Sequence, residues 1–121
     1  MLRQAIPVLH VEPIEQAREF YRTLGFEELF AYRFNDAQPD PCYMGLHREG
    51  VTLHVSSFSG DAVAGGVVFI VVDDIDALHQ DLQAKGVSIK LPPTDQSWGN
   101  REMYIADPNG NSLRFVQGDD R

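Results

Sequence analysis

The two halves of this sequence repeat one another. At an offset of 61 residues Val11 falls on Val72, Ile14 on Ile75, Gly25 on Gly86 and Phe26 on Val87; at an offset of 60, Gly50 falls on Gly110, Leu53 on Leu113 and His54 on Arg114. A glycine, an apolar helix face and a turn all recur together, which marks a duplicated structural unit rather than an accident of composition. Each unit reads as strand, helix, then three strands. The expected fold class is therefore α+β, with two tandem βαβββ modules built on curved, antiparallel-rich sheets. One helix covers only one face of such a sheet, so the other face needs a cover: the second copy, a partner chain or a ligand.

Taken in order, Ala5 to Val11 is a β-rich run whose early Pro7 suits the edge or end of a strand. Pro13 opens a helix with Ile14, Ala17, Phe20 or Tyr21, and Leu24 on one face, and Gly25 ends it. Phe20, Tyr21 and Phe26 read as core. Phe26 to Phe34 follows as a strand, with Phe30, Tyr32 and Phe34 on one side and Leu29 and Ala31 on the other. Residues 35–41 are polar, hold two prolines and predict a loop. Tyr43 to Leu46 and Val51 to Ser56 are strands joined by the turn His47 to Gly50. Ser57 to Gly66, rich in Ser, Gly and Ala, predicts a linker.

The pattern then restarts. Val67 to Val72 predicts a buried strand, Asp73 or Asp74 a helix cap, and Ile75, Leu78 and Leu82 an apolar helix face stopped by Gly86. A Pro-Pro loop leads to Trp98. Met103 to Ala106 and Asn111 to Val116 form a hairpin about the turn Asp107-Pro108-Asn109-Gly110. The chain divides as one domain over 1–121: module one at about 1–57, a linker at about 58–66 and module two at about 67–121.

With 121 residues, 43% of them hydrophobic, one core is affordable and two independent ones are not. A net charge of −8 argues against nucleic acid as a partner, because phosphate binding needs clustered Lys and Arg. An acidic surface suits a cationic partner, or serves solubility alone. The single cysteine, Cys42, cannot form an intramolecular disulfide and reads as a small packing residue. No charged segment followed by a long apolar run opens the chain, and Val67 to Val72 is far short of the roughly twenty residues of a membrane span. A cytoplasmic location, away from membranes, is the expectation.

Strand alternation gives the candidate site. If Ala106 pairs with Ser112, Tyr104 lies opposite Arg114 and Glu102 opposite Val116 on one face, while Met103, Ile105, Leu113 and Phe115 point to the core. The same parity in module one exposes Tyr43, Gly45, Thr52, His54 and Ser56. The candidate ligand-binding residues are thus Tyr43, His54, Glu102, Tyr104 and Arg114, with Trp98 at the rim and Phe34 beside them. Rings and a few fixed charges suit a flat, partly polar organic ligand, and equally a dimer interface. Each residue also has a plainer role. Trp98 can be a core or interface anchor, Arg114 a partner for Glu102, and His54 a hydrogen-bonded pocket residue rather than a general base. Motifs of serine hydrolases, P-loops, thiol redox centres and zinc proteases are absent from the sequence.

The βαβββ pair, with FYRTLGF at 20–26 and DPNGNSLRFV at 107–116, resembles the vicinal oxygen chelate superfamily of glyoxalases, extradiol dioxygenases and bleomycin resistance proteins. AIPVL at 5–9 and QSWGNRE at 96–102 look most like the bleomycin resistance branch. The resemblance places metal ligands of the catalytic members at Ile6, His54, Val67 and Arg114 of this chain. Three of these cannot ligate a cation, so neither a catalytic metal nor another cofactor is expected. The implied function is a metal-free protein that sequesters bleomycin or another cationic aromatic antibiotic without altering it. The resemblance further implies a homodimer with a cleft completed at the subunit interface and an N-terminal strand exchanged near Pro7. The alternatives are a glyoxalase-type lyase or dioxygenase, a metal-free isomerase using His54 and Glu102, or a dimer with no small ligand.

Overall fold

Helical periodicity and strand alternation resolve into ten elements in the computed structural model, which describes residues 1–118. They are β1 (Val8–His10), α1 (Ile14–Thr23), β2 (Glu27–Arg33), β3 (Cys42–Arg48), β4 (Val51–Ser56), β5 (Val67–Val71), α2 (Ile75–Ala84), β6 (Leu91–Asp95), β7 (Arg101–Ala106) and β8 (Ser112–Gln117). The first sheet runs β1-β4-β3-β2 and the second β5-β8-β7-β6. In each, the first strand lies parallel to the last and the remaining pairs are antiparallel. The duplicated βαβββ plan is therefore the architecture of the chain.

The helices form where the apolar spacing places them. Ile14, Ala17, Tyr21 and Leu24 are all buried, and Phe20 is only partly so, packing on the core from its margin. Pro13 has no side-chain donor or acceptor for a cap; Asp40 instead accepts the Ile14 N–H at 3.0 Å. On α2 the predicted cap is Asp74, whose carboxylate accepts the Ala77 N–H at 3.0 Å, while Gln117 accepts from Ile75 at 2.7 Å.

Alternation along the hairpins is as predicted: Met44, Leu46, Leu53 and Val55 of one module and Met103, Ile105, Leu113 and Phe115 of the other are buried on the helix side. The modules are joined by the turn of the second hairpin. The Tyr21 hydroxyl donates to Asp107 Oδ2 at 2.8 Å, and Asp107 also accepts from the backbone of Asn109 and Asn111. Asn111 donates to the His10 carbonyl and accepts from the Gly66 N–H, and Asn109 exchanges two hydrogen bonds with the Glu12 backbone. Gly110, at φ 82°, supplies the left-handed residue this turn needs.

Several boundaries differ from the sequence expectation. The first strand is Val8–His10 rather than Ala5 to Val11, since Met1 to Ala5 have no sheet partner and are exposed. Val67–Val71 is buried on one face only: Val68 and Ile70 point inward, while Val67, Phe69 and Val71 are exposed. The Pro-Pro segment is strand β6, an edge strand with an irregular register between Leu91 and Thr94, where prolines cost no inner ladder bond. β3 continues through His47 and Arg48, so the first hairpin turn is Glu49-Gly50 alone. The predicted linker begins as fixed structure, with Ser57 Oγ accepting the Cys42 N–H at 2.8 Å and Ser56 Oγ donating to Asp61 at 2.6 Å.

Candidate functional site

The candidate site is the face of each sheet turned away from its helix. Cross-strand pairing sets two rows on each. In the first sheet one row is Phe30, Gly45, His54 and Val8, and the next is Tyr32, Tyr43, Ser56 and His10. In the second sheet the corresponding rows are Leu91, Tyr104, Arg114 and Phe69, and Thr94, Glu102, Val116 and Val71. The predicted pairs Tyr104–Arg114 and Glu102–Val116 are both present. His54 and Arg114 occupy equivalent places, as the repeat requires.

On the first face the aromatic groups form a connected floor. A bulge after Glu28 shifts the register of β2, turning Phe30 and Tyr32 to the open side and leaving Leu29 exposed as the extra residue. The Phe30 ring lies over Gly45, where a Cβ would come within 2.3 Å of it. It stacks beside Tyr43, with centroids 6.2 Å apart, and meets His54 edge-on at 5.4 Å. Tyr43 Oη and His54 Nδ1 are 2.7 Å apart. Burial lowers the His54 pKa and raises that of Tyr43. Both are then neutral near pH 7, with the hydroxyl donating to Nδ1 and the ring proton on Nε2. Tyr32 stacks on Phe58 at 6.0 Å, and these two with Tyr43 and Asp61 line a shallow recess.

The second face is centred on a carboxylate. Glu102 is only 4% exposed and accepts from Trp98 Nε1 at 2.8 Å, from the Tyr104 hydroxyl, and from Asn100 Nδ2 at 3.5 Å. Burial pushes its pKa up, but these hydrogen bonds and the nearby Arg114 charge outweigh burial and hold it below the ordinary value. Arg114 is exposed and its guanidinium carbon sits 4.9 Å from the Tyr104 ring centroid. The expected Glu102–Arg114 ion pair is thus replaced: Glu102 is held by Trp98 and Tyr104, and Arg114 rests on the same tyrosine. Trp98 is 57% exposed, a rim residue rather than a core one.

The structure brings Tyr43 and His54 together on one face, and Trp98, Glu102, Tyr104 and Arg114 on the other. Phe34 lies beyond the end of β2 and is exposed, outside both rows. Residues absent from the sequence-derived set are Phe30, Tyr32, Phe58, Asp61 and His10. The alternation of Phe30 with Tyr32 already pointed to the first two. Phe58 and Asp61 lie in the segment predicted to be a linker, so no pattern marked them.

A sequence profile of the glyoxalase superfamily matches residues 1–121, the whole chain. The chain belongs to the glyoxalase superfamily. A Mycolicibacterium smegmatis protein of uncharacterized role is 30% identical over 109 residues, covering 89% of this chain and 87% of its own. Among solved structures, a bleomycin-binding protein complexed with bleomycin has a TM-score of 0.75 at 24% identity, covering 98% of this chain and 100% of its own. TnmS3, an antibiotic-binding protein from Streptomyces sp. CB03234, has a TM-score of 0.77 at 22% identity, covering 98% of each chain. At those identities the likeness to the solved proteins is one of fold.

The resemblance places the metal-ligand positions at Ile6, His54, Val67 and Arg114 of this chain. Here the residue beside His54 is Val8, and that beside Arg114 is Phe69, each two residues on from the Ile6 and Val67 expected from sequence. Valine and phenylalanine offer no lone pair, and a guanidinium repels a cation. Among the described residues no three His, Cys, Asp or Glu side chains converge as a metal site would require. The residues present do not fit the metal.

Proposed function

We propose that this chain binds and sequesters a flat, cationic organic ligand, of the bleomycin kind or another aromatic antibiotic, between the open faces of two copies, without altering it. The observation that carries the reading is the aromatic floor of Phe30, Tyr43 and His54, open to solvent in one chain and flanked by Tyr32, Phe58 and the Asp61 carboxylate. Neutral rings stack on a planar ligand, and Asp61 with the −8 net charge draws a cation toward it. Trp98, Tyr104 and Arg114 of the second face form the opposing wall, with Glu102 as a fixed negative charge beneath them.

Dimerisation is part of the proposal. The exposed stripe Val67, Phe69 and Val71 needs an apolar cover, and a second copy provides it. Met1 to Ala5, exposed and without a sheet partner ahead of Pro7, are free to cross to that copy as an exchanged strand. Such a protein works in the cytoplasm, where it competes with the drug's target by mass action.

The test combines sedimentation velocity with thermal shift. A dimer should be stabilised by bleomycin, or by another cationic aromatic antibiotic, by about 2.7 kcal/mol at a hundred times the dissociation constant. A confirmed dimer that none of these compounds stabilises would overturn the proposal.

A further inference from the structure

The two junctions between the modules are related by the repeat but closed differently. At one, α1 presents Tyr21 to the turn of the β7–β8 hairpin, and the Tyr21–Asp107 hydrogen bond fills the gap. At the other, the position equivalent to Tyr21 on α2 is Leu82, and the facing turn is that of the β3–β4 hairpin. A leucine has neither the reach nor the hydroxyl to bridge it. What remains there is a cleft of about 450 Å³, within the range of small-molecule sites.

Its floor is apolar, made by Phe26, Val51, Ile70, Leu78, Leu82 and Phe115. Its rim is charged. Arg48 is engaged, donating to the Leu24 carbonyl at 2.6 Å and lying 3.6 Å from Glu49. Asp74 caps α2 and Asp81 pairs with Lys85 at 3.1 Å. Asp73 is exposed, lines the cleft, and has no hydrogen-bond or ion-pair partner among the described residues. None of these residues belongs to the rows of the two open faces.

We propose that this inter-module cleft is a second small-molecule site, taking an apolar body of one or two rings that carries one ammonium group. The rings occupy the floor, where burial of apolar surface supplies affinity. The ammonium remains at the rim beside Asp73, in a local field of four carboxylates against the Arg48 guanidinium and the Lys85 ammonium. The site is independent of whatever the open faces hold.

The probe is 1-naphthylmethylamine, titrated into isotopically labelled protein and followed by amide chemical shifts. Naphthylmethanol and naphthylacetate serve as neutral and anionic controls. Saturable shifts are expected at Val51, Leu78 and Leu82, with the amine binding more tightly than the alcohol and the carboxylate not at all. Asp73→Asn should weaken the amine about threefold and leave the alcohol unchanged. Ala77→Phe, at an exposed position on the cleft wall, should remove the cleft shifts without moving those of Tyr43, His54 or Arg114. Shifts confined to the open faces, no saturation, or equal binding of all three probes would overturn the site. Because Asp73→Asn is an exposed substitution, its result stands even if Ala77→Phe perturbs the fold.

Discussion

Tyr21 and Asp107 lie 86 positions apart and are joined by a buried 2.8 Å hydrogen bond between the helix of one module and the hairpin turn of the other. Burial first, then the Asp107 charge and hydrogen bond, raise the Tyr21 pKa far above its ordinary value. The phenol is therefore neutral in the fold and donates. Tyr21→Phe leaves the carboxylate its donors from Asn109 and Asn111 but removes a charge-assisted bond. The expected loss is about 1.5–3 kcal/mol in urea unfolding, larger than for Phe20→Leu on the partly buried side of the helix.

The same pair fixes the alkaline limb of stability. An acid whose folded pKa lies above its unfolded value stabilises the fold while protonated in both states, and that contribution fades as pH rises past the unfolded value, about 10. Wild type should thus lose stability above about pH 10, and Tyr21→Phe should lose less over the same interval. Parallel alkaline limbs in the two proteins would show that Tyr21 is not the titrating group.

Trp98 is the only tryptophan of the chain, and its indole N–H donates to Glu102, so its fluorescence reports directly on that carboxylate. Hydrogen bonds lower the Glu102 pKa despite burial. Stability from this group is complete above the unfolded glutamate value, about 4.3, and is lost as pH falls through the folded one. An acid titration of Trp98 emission should have its midpoint below about 4.3, and Glu102→Gln should abolish that transition. Trp98→Phe keeps a ring at the rim and removes the donor. Under the proposed function it should cost less affinity than Trp98→Ala, while both move the pKa of Glu102 toward the ordinary value.

His54 titrates in the same sense for a different reason. Burial lowers its folded pKa, so the neutral ring is favoured and its contribution is full above about 6.5, falling as pH drops toward the folded value. Proton NMR should place the His54 midpoint below about 6.5. Tyr43→Phe removes the donor to Nδ1 without adding charge. It should disturb the His54 ring signals while leaving the midpoint below the ordinary value, since desolvation is what lowers it.

Much of this arrangement was legible from residue order. Alternation together with the turn at Asp107 to Gly110 fixes the register of the second hairpin, so the Tyr104–Arg114 pair and the inward Met103, Ile105, Leu113 and Phe115 follow without coordinates. The helix faces follow from periodicity in the same way. The misreadings have tertiary causes. Pro92 and Pro93 read as loop because a strand usually needs its N–H groups, a demand that relaxes at the edge position of β6. Ser57 to Asp61 read as linker because its partners, Cys42 and Tyr32, are distant in sequence. Glu102 and Arg114 are within reach on adjacent strands, yet Trp98 at the preceding turn reaches the carboxylate from one side. No periodic signal records that competition.

Gly45 tests whether the aromatic floor behaves as one unit. It sits between Phe30 and His54 in a cross-strand row, and any side chain there would meet the Phe30 ring, with the nearest ring carbon 2.3 Å from a Cβ. In Gly45→Ala the ring must swing away, which its half-exposed position allows, so the expected stability loss is only about 1 kcal/mol. The stacking of Phe30 on Tyr43 and its edge contact with His54 would be lost. Under the proposed function, ligand affinity should then fall by at least as much as in Phe30→Ala, and the double variant should bind no worse than either single one, because the two substitutions remove the same surface. Additive losses of affinity would mean that Phe30 and Gly45 act separately, and that the floor is a set of neighbouring rings without a shared contact to the ligand.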